Sequence, residues 1–281
     1  MSNDVLILGR AKTGTTFLAQ SVAQSLGAAY VSEPKTREAA MISAGVKTRV
    51  VKVIFEHWAP DELRALLSED QFTARLAILR DPRDEYVSRA LFMARAELWS
   101  GRAGKAEMEA WACALEAKER SPVSISFHEL MRGYSEIFKD AAGAPGFGQF
   151  AQDTDRYLEF VETAPCTSVR YEKFVDGDFS EITDATGAPI TGAHDLGDQW
   201  YTKRSSGSGD WRRLFTEDDL SLLKEKLSGV VERAGYEDWT LDPAPVLAAE
   251  HYSGYVRTLW KQFSTRPGGW RVRLKRALKR R

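Results

Sequence analysis

The chain has 281 residues, with 39 Lys and Arg against 40 Asp and Glu, and 43% of its residues are hydrophobic. This length and apolar content suit one large α/β domain or two smaller ones, and they exclude a largely disordered chain. No apolar run is long enough to span a membrane, and the N-terminal segment lacks the features of a signal peptide. Two distant cysteines and four histidines without metal-ligand spacing argue against a disulfide scaffold and against metal catalysis. We therefore expect a cytoplasmic protein that requires no metal.

The charge is unevenly distributed along the chain. Residues 266–281 hold eight basic residues and no acidic one, which leaves 31 basic against 40 acidic residues elsewhere. Within this tail Trp270, Leu274 and Leu278 recur every four residues, a pattern typical of a basic amphipathic helix that rests on an anionic membrane. A solvated basic tail is the alternative. The acidic body argues against a nucleic-acid partner.

Strand and helix patterns alternate in the first half of the chain. Short apolar runs predict strands at residues 4–9, 28–32, 48–55, 74–79 and 166–170. Helical periodicity and capping residues predict helices at residues 15–26, 61–68, from 82 onward, 105–120, 127–142, 150–163 and 216–234.

This alternation predicts a three-layer α/β fold with a mostly parallel central sheet of about five strands. We expect a P-loop-like first βα turn, a helical insertion and a helical C-terminus. Residues 1–240 would form the α/β domain and residues 241–281 a helical extension. An aromatic and apolar stripe within residues 246–263 indicates core packing or a homodimer contact. Ligands of such sheets bind beyond the carboxyl ends of the strands.

The turn after the first strand has the spacing of a phosphate-binding loop. Residues 9–16 read GRAKTGTT, so two glycines stand five positions apart before a helix. Glycines let backbone N–H groups turn toward an anion, and the helix N-terminus adds partial positive charge. An ordinary ATP-binding loop needs Gly-Lys-Ser/Thr, whereas here Thr15 follows Gly14 and Lys12 precedes it. A simple glycine turn is the structural alternative.

A second anion-binding segment follows the fourth strand. Residues 80–88 read RDPRDEYVS, with Arg80 at the strand end and Ser88 about two turns into the next helix. The fork of an arginine and the hydroxyl of a serine can converge on one small anion. The alternative is that these are surface charges and that Ser88 has no functional role. Asp81 could also be the magnesium-binding aspartate of a Walker B motif.

Two later segments add to this pattern. Residues 204–212 read RSSGSGDWR, which is either part of an anion site or a flexible linker. Residues 170–174 read RYEKF directly after the fifth predicted strand. Tyr171 is equally consistent with core packing and with a contact to a bound base.

Taken in chain order, the four segments resemble those of the bacterial-type sulfotransferases that use 3′-phosphoadenosine 5′-phosphosulfate (PAPS). The patterns of that family are Lys-Ser/Thr-Gly-Thr-Thr-Trp/Phe-Leu, Arg-Asp-Pro-Arg-Asp-x-x-Val-Ser, Arg-Tyr-Glu-Asp-Leu and Arg-Lys-Gly-x-x-Gly-Asp-Trp-Lys. The last segment departs from its pattern, because Ser205 and Ser206 replace the usual lysine and glycine. The resemblance implies that the nucleotide is bound by Arg10, Lys12, Thr13, Gly14, Thr15, Thr16, Phe17, Arg80, Ser88, Tyr171, Arg204, Ser206, Gly207, Ser208 and Gly209.

The same resemblance implies transfer of a sulfuryl group from PAPS, as cosubstrate, to a hydroxyl or amine acceptor. Lys12 would stabilise the leaving phosphate, and Glu33 or His57, each after a predicted strand, would serve as the base. The acceptor would be a small molecule, a carbohydrate or a lipid-linked glycan. Two alternatives stay open at this point: a P-loop kinase of a small hydroxylated metabolite, and a non-catalytic nucleotide-dependent membrane adaptor.

Overall fold

The computed structural model describes residues 4–42, 48–139, 146–191 and 207–265. The chain divides into two compact units: Met1–Glu85 with Gln152–Ser208, and Tyr86–Ala151 with Gly209–Arg281. The division that we expect from the sequence, into an α/β domain of residues 1–240 and an extension of residues 241–281, stays a prediction.

The first unit contains a five-stranded sheet in which every pairing is parallel. Its strands are β1 Asp4–Gly9, β2 Ala29–Ser32, β3 Arg49–Ile54, β4 Phe72–Leu79 and β5 Thr167–Arg170, in the spatial order β2-β3-β1-β4-β5. All residues of β1 and β3 are buried, as expected for central strands of a parallel sheet. The predicted α/β class and the number of strands are confirmed.

Helices occupy much of the remaining described chain. They are α1 Thr15–Ser25, α2 Arg37–Met41, α3 Pro60–Leu67, α4 Pro82–Trp99, α5 Lys105–Arg120, α6 Phe127–Ile137, α7 Phe147–Thr163, α8 Tyr171–Val175, α9 Ser180–Thr186, α10 Trp211–Leu214, α11 Glu217–Arg233 and α12 Ser253–Thr265. Short 3₁₀ turns lie at Phe55–His57 and Ala249–His251. No helix in these ranges is long and apolar enough to cross a membrane.

Apolar side chains cover both faces of the sheet, which confirms the three layers. On one face Ile7, Val50 and Ile78 pack with α1, α8 and α9. On the other face Leu8 and Val53 pack with α3 and the later part of α7. Because successive strand residues point to opposite faces, the two apolar sets alternate along each strand.

The described part of the second unit is helical, and two of its helix starts are capped by distant carboxylates. Asp219 accepts hydrogen bonds from its own cap residue Thr216 and from the N–H groups of Phe127 and His128 at the start of α6. Glu119 of α5 accepts from the N–H group of Ser253 at 2.7 Å, at the start of α12. These long-range caps fix the first turns of both helices.

Several boundaries differ from the predictions. α6 ends at Ile137 instead of residue 142, because Phe138 leaves helical geometry at ψ 63°. The helical stripe expected from residue 246 becomes a 3₁₀ turn followed by α12, which begins only at Ser253. The basic tail at residues 266–281 lies outside the described residues, so its membrane contact stays a prediction.

Candidate active site

The carboxyl ends of the five strands lie at one edge of the sheet. β3 and β4 are consecutive in the chain but flank β1 on opposite sides, so the order of strands reverses at β1. Parallel α/β sheets bind ligands outside the strand ends at such a reversal. The register pairs Gly9 with Ile54, Ser32 with Lys52, and Leu79 with Arg170. The residues that follow these pairs therefore meet at the same edge.

The turn from β1 to α1 is shaped by its two glycines. Gly14 has a left-handed φ of 92°, and a Cβ there would lie 2.4 Å from the ring of Tyr171. A Cβ on Gly9 would lie 2.4 Å from the Thr15 hydroxyl oxygen. Both positions thus require glycine, Gly14 for its conformation as well as for space. Lys12 also has a left-handed φ, of 73°, which is rare for a side chain of this size.

The threonine hydroxyls of the turn hold the shape of its backbone. The Thr13 hydroxyl donates to the Arg10 carbonyl at 2.8 Å and lies 3.1 Å from the Thr15 hydroxyl. The N–H groups of Thr15, Thr16 and Phe17 begin α1 and have no acceptor within the helix, since its first backbone bond joins Leu18 to Gly14. No acidic residue lies in this first turn. Backbone N–H groups and the helix dipole therefore favour an anion here.

Arg80 lies directly beside this loop. Its Nη1 donates to the Lys12 carbonyl at 3.0 Å, and its guanidinium carbon lies 4.4 Å from the centre of the Tyr171 ring. The same ring contacts Gly14. A cation from the end of β4 and an aromatic ring after β5 are thereby assembled against the phosphate-type loop.

Asp81 and Arg83, which follow Arg80 in this segment, pair with each other. Asp81 accepts from the guanidinium of Arg83 at 2.7 Å and from the Arg83 N–H at 2.9 Å. The N–H of Asp81 donates to Glu172 at 2.9 Å. These contacts fix the start of α4 and link it to α8. Arg80 reaches the backbone of the loop at Lys12, and Glu85 of the same segment reaches the side chain of Arg10.

Arg10 is buried and bound by neighbouring acidic residues. Its guanidinium lies 3.3 Å from Glu85 and 3.6 Å from Glu56, and it donates to the Thr154 hydroxyl. Glu56 also accepts from the N–H of Ala11 at 3.2 Å. Arg10 therefore supports the loop from within the fold, and its predicted contact with the nucleotide stays a prediction.

A second cluster lies at the ends of β2 and β3, around Glu33. Glu33 has a left-handed φ of 50°, and its Oε1 accepts from Lys52 at 2.7 Å. The same Lys52 ammonium donates to the Thr16 hydroxyl at 2.9 Å. Oε2 of Glu33 lies 3.7 Å from Lys35 and 3.8 Å from Nδ1 of His57. Both candidate bases, Glu33 and His57, are thus in one cluster that Lys52 joins to the phosphate-type loop.

Burial and charge act in opposite directions on the pair of Glu33 and Lys52. Burial by itself would raise the pKa of Glu33, but the hydrogen bond and charge of Lys52, with His57 and Lys35, bring it below its usual value. Burial lowers the pKa of Lys52, and contact with Glu33 partly offsets this. The pair is therefore an ionised carboxylate held by a largely buried ammonium.

Lys52 is a site residue that the sequence analysis missed. It lies within the apolar segment RVVKVI, where every position is buried. A lysine inside such a strand is the signal that could have identified it, because buried lysines are rare unless they are paired. It shares the sheet face of Val50, toward α1, which explains its reach to Thr16.

No family model matches the sequence, and no curated protein matches it. Among solved structures, a sulfotransferase from Alicyclobacillus acidocaldarius is 16% identical with a TM-score of 0.42, over 85% of this chain and 98% of that chain. A mouse sulfotransferase in complex with PAP is 12% identical with a TM-score of 0.37, over 96% of this chain and 88% of that chain. The chain is similar in structure to sulfotransferases. At these TM-scores the likeness carries no argument about substrate or site residues.

The remaining residues that the sulfotransferase resemblance singles out are placed as follows. Phe17 is buried in the core, where its ring meets that of Phe174 edge to face at 5.0 Å. Ser88 is buried on α4, in the second unit. Gly207, Ser208 and Gly209 precede α10. Their contacts with a nucleotide stay predictions. Arg204 and Ser206 lie outside the described residues.

Metal-ligating side chains are not grouped in the described ranges. There, no three His, Cys, Asp or Glu residues come together in a way that could hold a metal ion. Cys113 is exposed and Cys166 is half-buried, and both are free thiols.

Proposed function

We propose that this protein transfers a sulfuryl group from PAPS to a hydroxyl or amine acceptor. The observation that carries the proposal is the assembly of Arg80, Tyr171 and the Lys12 carbonyl against the Gly14 loop. Two phosphate groups on one adenosine need two cationic groups, for which Lys12 and Arg80 are the candidates, and an aromatic ring that lies against Arg80 and Gly14 suits the base. The sulfotransferase-type motifs of residues 10–17 and 80–88 support the same assignment.

The transfer is an in-line displacement at sulfur. The acceptor oxygen forms a bond to sulfur while the bond from sulfur to the 5′-phosphate oxygen breaks, and the acceptor proton passes to a base. The products are the sulfated acceptor and 3′-phosphoadenosine 5′-phosphate (PAP). Such reactions are accelerated mainly by positioning and by stabilising charge on the leaving oxygens.

Each residue of the cluster has a role in this proposal. Lys12, on the loop, stabilises the negative charge that grows on the leaving phosphate. Glu33 takes the acceptor proton, and its ionised state at neutral pH suits a base. Lys52 connects Glu33 to Thr16 and so keeps the base at a fixed distance from the loop. His57 is the alternative base.

Ligand-induced stabilisation separates this proposal from a kinase or an adaptor. We expect PAP to raise the unfolding midpoint strongly and ATP–Mg²⁺ or AMP to change it little. Of these nucleotides, only PAP carries both a 3′-phosphate and a 5′-phosphate. Lys12→Ala and Arg80→Ala should each reduce the PAP shift. Stabilisation by ATP–Mg²⁺ alone would favour a kinase, and a PAP shift unchanged in both variants would refute the site assignment.

The proposal also includes the class of the acceptor and a contact with the membrane. The acceptor is a small molecule or a glycan, and a screen of sugars, lipids and phenols with ³⁵S-labelled PAPS identifies it.

The basic segment 266–281 supports peripheral contact with the anionic inner face of a membrane. Sedimentation with anionic vesicles should pull down the full chain but not a chain ending at Arg266. A cytoplasmic location and a homodimer stay predictions.

A further inference from the structure

Glu56 contacts the backbone of the phosphate-type loop immediately before Lys12. Both of its carboxylate oxygens accept from the N–H group of Ala11, at 3.2 and 3.3 Å. Oε1 also lies 3.6 Å from Nε of Arg10, whose side chain is 1% exposed. Glu56 belongs to none of the four sulfotransferase-type segments, yet it contacts the two residues that precede Lys12 in the chain.

The backbone of Lys12 is strained and needs such contacts. Its φ of 73° is left-handed, a conformation that is unfavourable for a residue with a long side chain. Strained residues of this kind persist where the surrounding structure fixes them from several directions. The carbonyl of Lys12 accepts from Nη1 of Arg80 at 3.0 Å. Glu56 and Arg80 thus hold the chain before and after the strained residue.

These two contacts come from different strands. Glu56 follows β3 and Arg80 follows β4, and these strands flank β1 on opposite sides. The loop that leaves β1 is therefore held from both neighbouring strands. Within the loop, the N–H of Thr13 donates to the Arg10 carbonyl at 3.3 Å and closes the turn around Lys12.

The 3₁₀ turn that carries Glu56 is anchored in the core. Phe55 is buried, and the centre of its ring lies 5.2 Å from that of Tyr157. Arg10, which Glu56 approaches, is itself held by Glu85 at 3.3 Å. Because both sides of the contact are fixed, the carboxylate of Glu56 has a defined place beside the loop.

We propose that Glu56 is a positioning residue for Lys12. By accepting from the Ala11 N–H, it holds the left-handed backbone that sets the Lys12 ammonium against the leaving phosphate. Glu56 acts through the backbone of the loop, and its own carboxylate takes no part in proton or sulfuryl transfer. This inference rests on the proposed function of Lys12.

Turnover at saturating PAPS measures the effect on Lys12. Glu56→Ala removes the acceptor for the Ala11 N–H and should lower kcat about 10–10²-fold, because misplacement of a catalytic group is costly. The KM for the acceptor should stay nearly unchanged. Glu56→Gln should recover most of kcat, since an amide oxygen also accepts from an N–H group. A Glu56→Gln variant as slow as Glu56→Ala would refute the role of this hydrogen bond.

Glu69→Ala is the matched control. Glu69 is a carboxylate of the same unit that accepts from Arg37 at 2.6 Å, but it lies before β4, at the opposite edge of the sheet. Its side chain is 19% exposed and that of Glu56 is 29% exposed. Glu69→Ala should leave turnover unchanged. An equal loss of turnover in both variants would contradict a specific role for Glu56.

A double-mutant cycle tests whether Glu56 acts through Lys12. In the Lys12→Ala background, Glu56→Ala should cost no further turnover, because the group that it positions is already absent. Losses that multiply in the double variant would show two independent effects and would overturn the proposal.

Hydrogen exchange tests the contact without any reaction. In the unliganded protein, the peptide of residues 9–16 should exchange about tenfold faster in Glu56→Ala, as expected for the loss of one charge-assisted hydrogen bond. Glu69→Ala should leave this exchange unchanged. Equal exchange in Glu56→Ala and in the unaltered protein would rule out the positioning role. The PAP-induced thermal shift reports the proposed function separately, so the contact is tested even in a protein that lacks that shift.

Discussion

Paired carboxylates serve different purposes in the two units. In the second unit Asp219 and Glu119 accept from backbone N–H groups at the starts of α6, α11 and α12. In the first unit Glu33 and Lys52 bind each other, and Lys52 continues to a hydroxyl of the phosphate-type loop. Both arrangements satisfy buried polar groups, but only the second places charged side chains at the carboxyl ends of parallel strands.

This contrast indicates how a structural charge differs from a functional one. A carboxylate that is occupied by backbone donors has no capacity left for a ligand, and its loss affects folding. A carboxylate that shares its contacts among side chains retains an open oxygen. Among described residues other than glycine, left-handed φ values occur at Lys12 and Glu33, two of the three candidate catalytic residues. Strained backbone of this kind is concentrated at functional sites.

The largest effect should come from Glu33→Gln. Loss of this proposed base should lower turnover about 10²–10⁴-fold, because the amide cannot accept the proton of the acceptor. The unfolding midpoint should change little, since Glu33 is partly exposed and packs against side chains. Turnover is measured by transfer of labelled sulfur to an acceptor from the screen. Normal turnover in this variant would exclude Glu33 as the base.

Lys12→Ala should lower turnover about 10²–10³-fold, as expected when one group that stabilises developing charge is removed. Lys12→Arg should recover part of the loss, because the positive charge is retained. Single-turnover kinetics at saturating PAPS separates this effect from weaker binding. If the loss disappears at saturation, Lys12 binds the donor without taking part in the transfer.

Asp219→Ala tests whether the carboxylate of Asp219 stabilises the fold without a role in ligand binding. It removes caps from two helices, and at about 1 kcal/mol per cap the free energy of unfolding should fall by about 2 kcal/mol. Urea denaturation measures this change. The PAP-induced shift of the folded variant should match that of the unaltered protein. A selective loss of PAP binding in a stable variant would contradict the structural assignment.

The smallest effect should be a change in pH dependence caused by Lys52→Met. In the proposed mechanism Glu33 serves as the base only when it is deprotonated, so activity should fall as the pH falls through its pKa. Lys52 lowers that pKa, and its removal should shift the acid limb of kcat/KM to higher pH. Arg37→Gln should leave the limb in place. An unchanged limb in Lys52→Met would show that Glu33 is not the titrating group.

The sequence predicts the sheet and the loop because their signals are local. Apolar runs identify all five strands, and the glycine spacing of residues 9–14 identifies the turn. The start of α12 could not be predicted, since its cap Glu119 is 134 residues away in the chain. Lys52 was missed for a related reason, because its partners Glu33 and Thr16 are brought together only by the strand register.

The close approach of Gly14 to Tyr171 has a consequence for how this protein can vary. A methyl group at position 14 would need the ring at position 171 to retreat, and the ring also supports the guanidinium of Arg80. Three positions from distant parts of the chain must therefore be inherited as a set. Any natural or engineered homologue that changes one of them should carry a compensating change at another.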